Sequence, residues 1–166
     1  MAEPKLTADE VRRLYERHGP ALLAYACSLV VDAGIAEDVV QQVFVSLLQG
    51  GIAMPEAPAA YLYRAVRNAA LNTRRNGQRN VPVNADAACF VHCGGNPEAA
   101  LALQAALTQL PEEQREIVIM RLWSGMTLQE IAEASGASLN TVASRYRYAV
   151  ERLRERLKPY QSARGM

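Results

Sequence analysis

From Ser138 to Tyr148 the chain sets out small polar groups and then cations: Ser138, Asn140, Thr141, Ser144, Arg145, Arg147 and Tyr148. Hydroxyls and amides in the first turns of a helix can meet base edges, and guanidiniums beyond them can meet phosphate. Ser144, Arg147 and Tyr148 fall at three- and four-residue spacing, so on a helix they share a face and can enter a major groove together. Arg145 sits nearer the groove wall. A second set follows Pro58: Tyr61, Arg64, Arg67, Asn68, Asn72, Arg74 and Arg75. Rings stack on unpaired bases, amides read their edges, and guanidiniums hold the backbone, which is single-strand chemistry. Each set also has a plainer reading, a solvated basic hairpin for the first and a surface helix with snorkelling Arg for the second.

Two smaller groups remain. Glu37, Asp38, Gln41 and Gln42 cluster near the start of an apolar-striped segment, where acids are ordinarily explained by the helix dipole. Cys89, His92 and Cys93 offer three soft metal ligands in one short stretch, with Cys27 or solvent as a fourth. A closed structural zinc site normally has two paired clusters, and only one is present, so no metal is expected here. His18 and His92 lack matched acids or nucleophiles, and no Gly-rich loop opens a helix. No catalytic constellation is present, and no cofactor is expected.

The elements that must position these groups read as helices. Thr127 followed by Glu130 is a capping box, and Leu128, Ile131 and Ala132 share a face behind it. Gly136 supplies the positive φ of a helix-turn-helix turn. Ser138 caps a second helix whose apolar stripe is Val142, Tyr146, Ala149, Val150, Leu153 and Leu157. This turn chemistry favours DNA over a plain hairpin. Upstream, Pro111 starts a helix in its favoured position, and Ile117, Val118, Met120, Leu122 and Trp123 are expected in a shared core. Ala99 to Leu107 is an Ala/Leu helix.

In the N-terminal part, Thr7 and Glu10 form another capping box. The stripe Val11, Leu14, Tyr15, Leu22, Tyr25, Ala26, Leu29 is interrupted at Gly19-Pro20, giving one kinked helix or two short ones. From Ile35 to Gln49 a further helix points Val39, Val40, Val43, Phe44, Leu47 and Leu48 inward. The run from Asn76 to Pro97 has Asn, Gly and Pro and no helical stripe, so it reads as a linker that lets two domains sit far apart. Met1 to Lys5 and Pro159 to Met166 read as frayed ends.

The full chain of 166 residues carries a net charge of only +1, but the charges are segregated. No Lys or Arg occurs from His18 to Tyr63, whereas Arg64, Arg67, Arg74, Arg75 and Arg79 follow with no acid among them. A second basic stretch runs from Arg145 to Arg164. Two basic patches flanking an acidic and apolar middle are the footprint that a near-zero total conceals. No apolar run reaches membrane-spanning length and no secretory signal is evident, so three reduced Cys thiols in a cytoplasm are expected.

The run from Leu110 to Leu157 resembles region 4 of an extracytoplasmic-function (ECF) sigma factor of bacterial RNA polymerase. Leu110-Pro111-Glu112-Glu113, Glu130-Ile131-Ala132, Thr141-Val142, Ser144-Arg145 and Glu151 carry the likeness. Asn140 stands where the family has Gly, Ala143 where it has Lys or Arg, and Tyr148 where it usually has Arg. Glu37 to Phe44 resembles region 2.2, which docks on a coiled coil of the β′ subunit. The resemblance thereby implies Asp38, Gln41, Gln42 and Phe44 as polymerase contacts, with Gln42 in place of the usual Glu. Tyr61 to Asn68 resembles the run that meets the melted promoter strand, with Tyr61 replacing the usual Trp.

The expected fold is therefore all-α: two small helical domains, residues 1–80 and 97–160, joined by a linker over 81–96 and followed by a tail over 161–166. The resemblance implies a non-enzymatic sigma factor that recruits core RNA polymerase through the β′ coiled coil and β flap and binds promoter DNA. The resemblance also implies an anti-sigma factor that masks these surfaces until a signal arrives, and no membrane insertion is expected. Two other classes stand beside this reading. One is a sigma-like module that sequesters a regulator without touching DNA, motivated by the cations missing at Ala143 and Tyr148. The other is a stand-alone helix-turn-helix regulator, which leaves the Asp38 to Phe44 segment without a purpose.

Overall fold

A computed structural model of the chain describes residues 4–30, 32–50, 53–77 and 97–162. They form α1 (Ala8–Leu29), α2 (Ala33–Gly50), α3 (Pro58–Gly77), α4 (Pro97–Gln109), α5 (Glu112–Ser124), α6 (Leu128–Ser135) and α7 (Leu139–Ser162). Among the described residues the sole β-type pairing is an isolated bridge between Lys5 and Ala53. The linker expected over 81–96, with Cys89, His92 and Cys93, lies outside the described residues.

α1 starts as its capping box dictates. The Thr7 hydroxyl accepts from the Glu10 N–H at 3.3 Å, and the Glu10 carboxylate accepts from the Thr7 N–H at 2.8 Å. Pro20 sits inside this helix without ending it, so α1 is one helix. Tyr15, expected on the inward stripe, is half exposed, although its ring meets Phe44 edge-on at 5.1 Å. α2 begins at Ala33, two residues before the expected start, because the Asp32 carboxylate accepts from Gly34 N–H at 2.6 Å and turns the chain there. Val39, Val40, Val43, Phe44 and Leu47 are buried, but Leu48 faces outward. In α3 the buried residues are Ala60, Leu62, Tyr63, Val66 and Ala70.

α5 packs against α1 and against α7. Apolar neighbours on more than one side explain why the consecutive run Ile117, Val118, Ile119 and Met120 is fully buried. Leu122, expected in this core, instead opens onto a groove of about 1220 Å³ that is also lined by Tyr15, Leu103 and Trp123. α7 continues through Pro159 to Ser162, beyond the expected fraying point.

The two halves touch. α1 packs on α5, and α3 packs on α6, so buried residues from both halves join one hydrophobic cluster. The linker was expected to let the two domains sit far apart; here they are in contact, and the polar contacts between them are given below. Cys27 also departs from expectation: it is buried in α1 and disulfide-bonded rather than a free thiol.

Candidate nucleic-acid interface

The helix-turn-helix is built as its residues require. The Thr127 hydroxyl accepts from Glu130 N–H at 3.1 Å, and the Glu130 carboxylate accepts from Thr127 N–H at 3.2 Å. Gly136 ends α6 in the left-handed region at φ 74°, where an L side chain is strained. Ser138 then accepts from Thr141 N–H at 3.2 Å, and its hydroxyl donates to the Thr141 hydroxyl at 2.8 Å. Val142, Ala149 and Leu153 are buried, with Tyr146 and Leu157 packed beside them. That pins the opposite face outward.

Asn140, Ser144, Arg147 and Tyr148 are exposed on that face, and Thr141 is half-buried. The Arg147 guanidinium lies over the Tyr148 ring, 5.2 Å from its centroid. Stacked in this way, cation and ring present one composite surface, and the ring partly orders a side chain that would otherwise lose entropy on binding. Arg145 is set apart: it lies 3.4 Å from the exposed Glu113 carboxylate. Such an exposed pair contributes about 0–1 kcal/mol and yields readily to a phosphate.

α3 presents two distinct edges. Tyr61, Arg64, Asn68, Asn72 and Arg75 follow at three- and four-residue spacing and are all exposed. Tyr61 also borders a groove of about 380 Å³ between α2 and α3, with Gln42, Ser46, Asn72 and Thr73. Arg67 and Arg74 are turned the other way, toward α5. Arg67 Nε donates to Glu116 at 2.7 Å, and Arg74 Nη1 donates to Glu112 at 2.5 Å. Tyr25, fully buried in α1, donates its hydroxyl to the same Glu116 oxygen that Arg67 uses. Three helices meet at one carboxylate.

Electrostatics follow from that meeting. Burial first, and then the Glu116 charge and hydrogen bond, push the Tyr25 phenol well above its ordinary value. Burial works against the charge on Arg67, but the Glu116 charge and hydrogen bond, with Tyr25 and Glu112, together hold the guanidinium above its ordinary value. Arg115, next in sequence, is itself buried and donates to the Ser28 carbonyl at 3.2 Å, and burial lowers its pKa. Glu116 and Arg115 are contacts that periodicity alone missed. They directly precede the apolar run Ile117 to Met120 and follow Glu112, Glu113 and Gln114, so in the sequence they look like more of an exposed polar helix start.

On α2, Asp38, Gln41 and Gln42 are exposed, whereas Phe44 is buried against Tyr15 and supports the helix from beneath. Glu37 and Asp38 lie past the first turn, so the helix dipole does not account for them. Among the described residues no ion pair engages either acid, and no group of His, Cys, Asp and Glu is arranged to hold a metal.

A capped helix-turn-helix joined to a second helical bundle that carries an aromatic, amide and guanidinium stripe defines a two-part DNA-associated protein. Comparison with known proteins narrows this. The family model for sigma-70 region 2 matches residues 14–80, and that for sigma-70 region 4 matches residues 100–153. ECF RNA polymerase sigma factor SigL of Mycobacterium tuberculosis is 33% identical over 161 residues, covering 87% of this chain and 86% of SigL. RNA polymerase sigma-E factor of Streptomyces avermitilis is 35% identical over 147 residues, covering 83% of this chain and 79% of its own. The sigma factor RpoE, solved with the anti-sigma factor NepR from Bartonella quintana, superposes with a TM-score of 0.69 at 25% identity, over 91% of this chain and 98% of that one. CnrH, solved with the cytosolic domain of CnrY, gives 0.66 at 25% identity, over 92% and 90%. The chain belongs to the ECF family of RNA polymerase sigma factors, and it directs promoter-specific transcription initiation.

Proposed function

We propose a division of labour between the two halves. Residues 1–80 form the polymerase- and strand-binding domain, 81–96 the linker, 97–160 the duplex-reading domain and 161–166 a tail. Asp38, Gln41 and Gln42 dock on the β′ coiled coil of core polymerase, and buried Phe44 keeps that face in register. Tyr61, Arg64, Asn68, Asn72 and Arg75 hold the melted promoter strand, joined by Arg67 and Arg74. Ser138, Asn140, Thr141, Ser144, Arg147 and Tyr148 meet the upstream duplex, with Arg145 on phosphate, while the second domain faces the β flap. The protein acts without catalysis of its own and works in the cytoplasm. Among the described residues no helix is long and apolar enough to cross a membrane. The two solved relatives were each captured with a regulatory partner, and this chain takes an anti-sigma factor in the same way.

The observation that carries this reading is the pair of exposed polar faces, one on α3 and one on α7, each backed by buried apolar residues that fix its direction. Titrations with core polymerase present, on upstream duplex and on non-template strand, test it. Tyr61→Ala impairs strand capture by about 1–3 kcal/mol of lost stacking and spares the duplex. Arg147→Ala does the reverse. Equal damage to both substrates by both variants would refute the division. The sequestering-module alternative predicts no promoter-dependent transcription from purified core, and the stand-alone regulator predicts no binding to core.

A further inference from the structure

The exposed reading face of α7 ends at Tyr148, but the helix runs on to Ser162 and changes character as it goes. At about 100° per residue, Arg145, Arg152 and Arg156 fall within an arc of about 40°, in line along one edge of the helix. That edge lies between the buried stripe Val142, Ala149 and Leu153 and the exposed Ser144 and Tyr148. Arg152 and Arg156 are exposed, and among the described residues no ion pair engages either of them, although Glu155 stands three positions beyond Arg152. Glu151 and Glu155 instead continue the line of Ser144, so the base-facing line turns acidic where the cationic edge persists. Arg152 and Arg156 are also a like-charge pair four positions apart, an arrangement that weakens a helix left in water.

We propose that Arg152 and Arg156 extend Arg145 into a phosphate rail, which follows one strand of the promoter duplex beside the bases that the first turns of α7 read. The rail adds affinity without sequence preference. From Arg145 to Arg156 the helix rises about 16 Å. Each strand of a duplex carries one phosphate for about every 3.4 Å of axis, so more than one phosphate lies within reach. A helix seated in a major groove by its first turns brings its later turns beside the backbone. Guanidiniums there grip phosphate oxygens through paired N–H donors, release condensed counterions and lose their mutual repulsion. Glu151 and Glu155 repel phosphate on the base-facing line, so past Tyr148 the helix is held by its edge and not by its face. The inference rests on the upstream-duplex reading proposed above for α7.

The test uses the full chain bound to core polymerase and a fluorescein-labelled duplex carrying the upstream element, titrated over a series of salt concentrations. Arg152→Gln with Arg156→Gln removes both charges and keeps helix propensity. The slope of log affinity against log salt is expected to flatten by about 1.8, at about 0.9 for each lost phosphate contact. Affinity falls with it, while the ratio between preferred and scrambled duplexes stays as in wild type. Arg152→Lys with Arg156→Lys is expected to restore the slope, which counts charges. Arg12→Gln with Arg13→Gln takes the same charge from exposed positions on α1 and is expected to leave the slope unchanged. Methylphosphonates, which neutralise single phosphates, are expected to weaken wild type at positions where the glutamine pair is indifferent. A wild-type slope in the glutamine pair hands the stripe to solvent or to an acidic protein surface and overturns the proposal. An equal change in the α1 control overturns it as well, as does a lysine pair that behaves like the glutamine pair. Loss of discrimination together with affinity makes these arginines base readers and also overturns it. Arg147→Ala in the same assay separates the two readings. If it spares affinity and discrimination alike, the duplex reading of α7 has failed. If it costs discrimination while the glutamine pair keeps the wild-type slope, the rail alone has failed.

Discussion

At the scale of single residues, neighbours decide what each charged group is free to do. Arg145 and Arg147 are two positions apart on one helix, yet Arg147 rests on the Tyr148 ring and Arg145 lies by Glu113. Arg147→Ala is therefore expected to cost about 1–3 kcal/mol on the preferred upstream element and to relax discrimination there. Arg145→Ala is expected to weaken all duplexes alike and to flatten the salt dependence. Competition titrations over several duplex sequences and salt concentrations distinguish the two. Tyr25 offers a second residue-level test. Its phenol is pushed above the ordinary value in the folded chain, so the fold binds that proton more tightly than the unfolded chain does. Stability is then complete below about pH 10 and falls as pH rises beyond it. Tyr63, pushed by burial to about 12, adds a loss in the same direction. Denaturant midpoints in alkaline buffers are expected to fall less steeply for Tyr25→Phe, from a lower starting stability. An identical slope in wild type and variant would show that the Tyr25 proton is not held by the fold.

At the scale of elements, caps and turns set where functional faces begin. The Thr127–Glu130 box satisfies two backbone donors at the head of an eight-residue helix that has little other means of starting itself. Thr127→Ala is expected to cost about 1 kcal/mol, seen as a lower melting temperature with upstream-duplex affinity falling alongside it. Gly136→Ala is expected to cost a similar ~1 kcal/mol from backbone strain alone, because no atom lies within 4 Å of the added carbon. A far larger loss would mean that α6 and α7 are repositioned. α2 gives an element-level prediction of function. Its outward residues Asp38 and Gln41 are exposed, so Asp38→Ala with Gln41→Ala should leave helix content unchanged and weaken competition for core polymerase. Normal competition by that variant would remove α2 as the docking element.

At the scale of the whole molecule, the two halves share one apolar cluster and two ion pairs of different burial. Screening shortens from about 10 Å at 0.1 M salt to about 3 Å at 1 M and acts mainly on exposed charges. Arg74–Glu112 is open to it, while Glu116, buried beneath Tyr25 and Arg67, is largely protected. The radius of gyration of the free chain is therefore expected to change little between those salt concentrations. Marked expansion at high salt would assign the closure to exposed charge instead of to the buried network and apolar contact.

Much of this protein is legible from the chain alone. Capping boxes at Thr7 and Thr127, the Gly136 turn, the Ser138 cap and the stripe Val142, Ala149 and Leu153 are local signals. A helix's hydrogen bonds and its inward face depend on residues within a few positions of one another. The polar face from Asn140 to Tyr148 follows from that stripe, since what is not inside must be outside. The misplaced residues share a different cause. Leu48 and Leu122 were expected inside because they are apolar and in phase, but whether a phase is covered depends on a neighbouring helix far away in sequence. Pro20 did not end α1, because α2, α3 and α5 pack along the helix and offset one missing backbone bond. Arg67 and Arg74 looked like their neighbours Arg64 and Arg75. Only the tertiary structure separates them, by bringing Glu112 and Glu116 from 38 and 49 residues away into hydrogen-bond reach. Pairing of that kind depends on how two amphipathic halves bury surface against each other, a nonlocal sum that periodicity and capping do not contain.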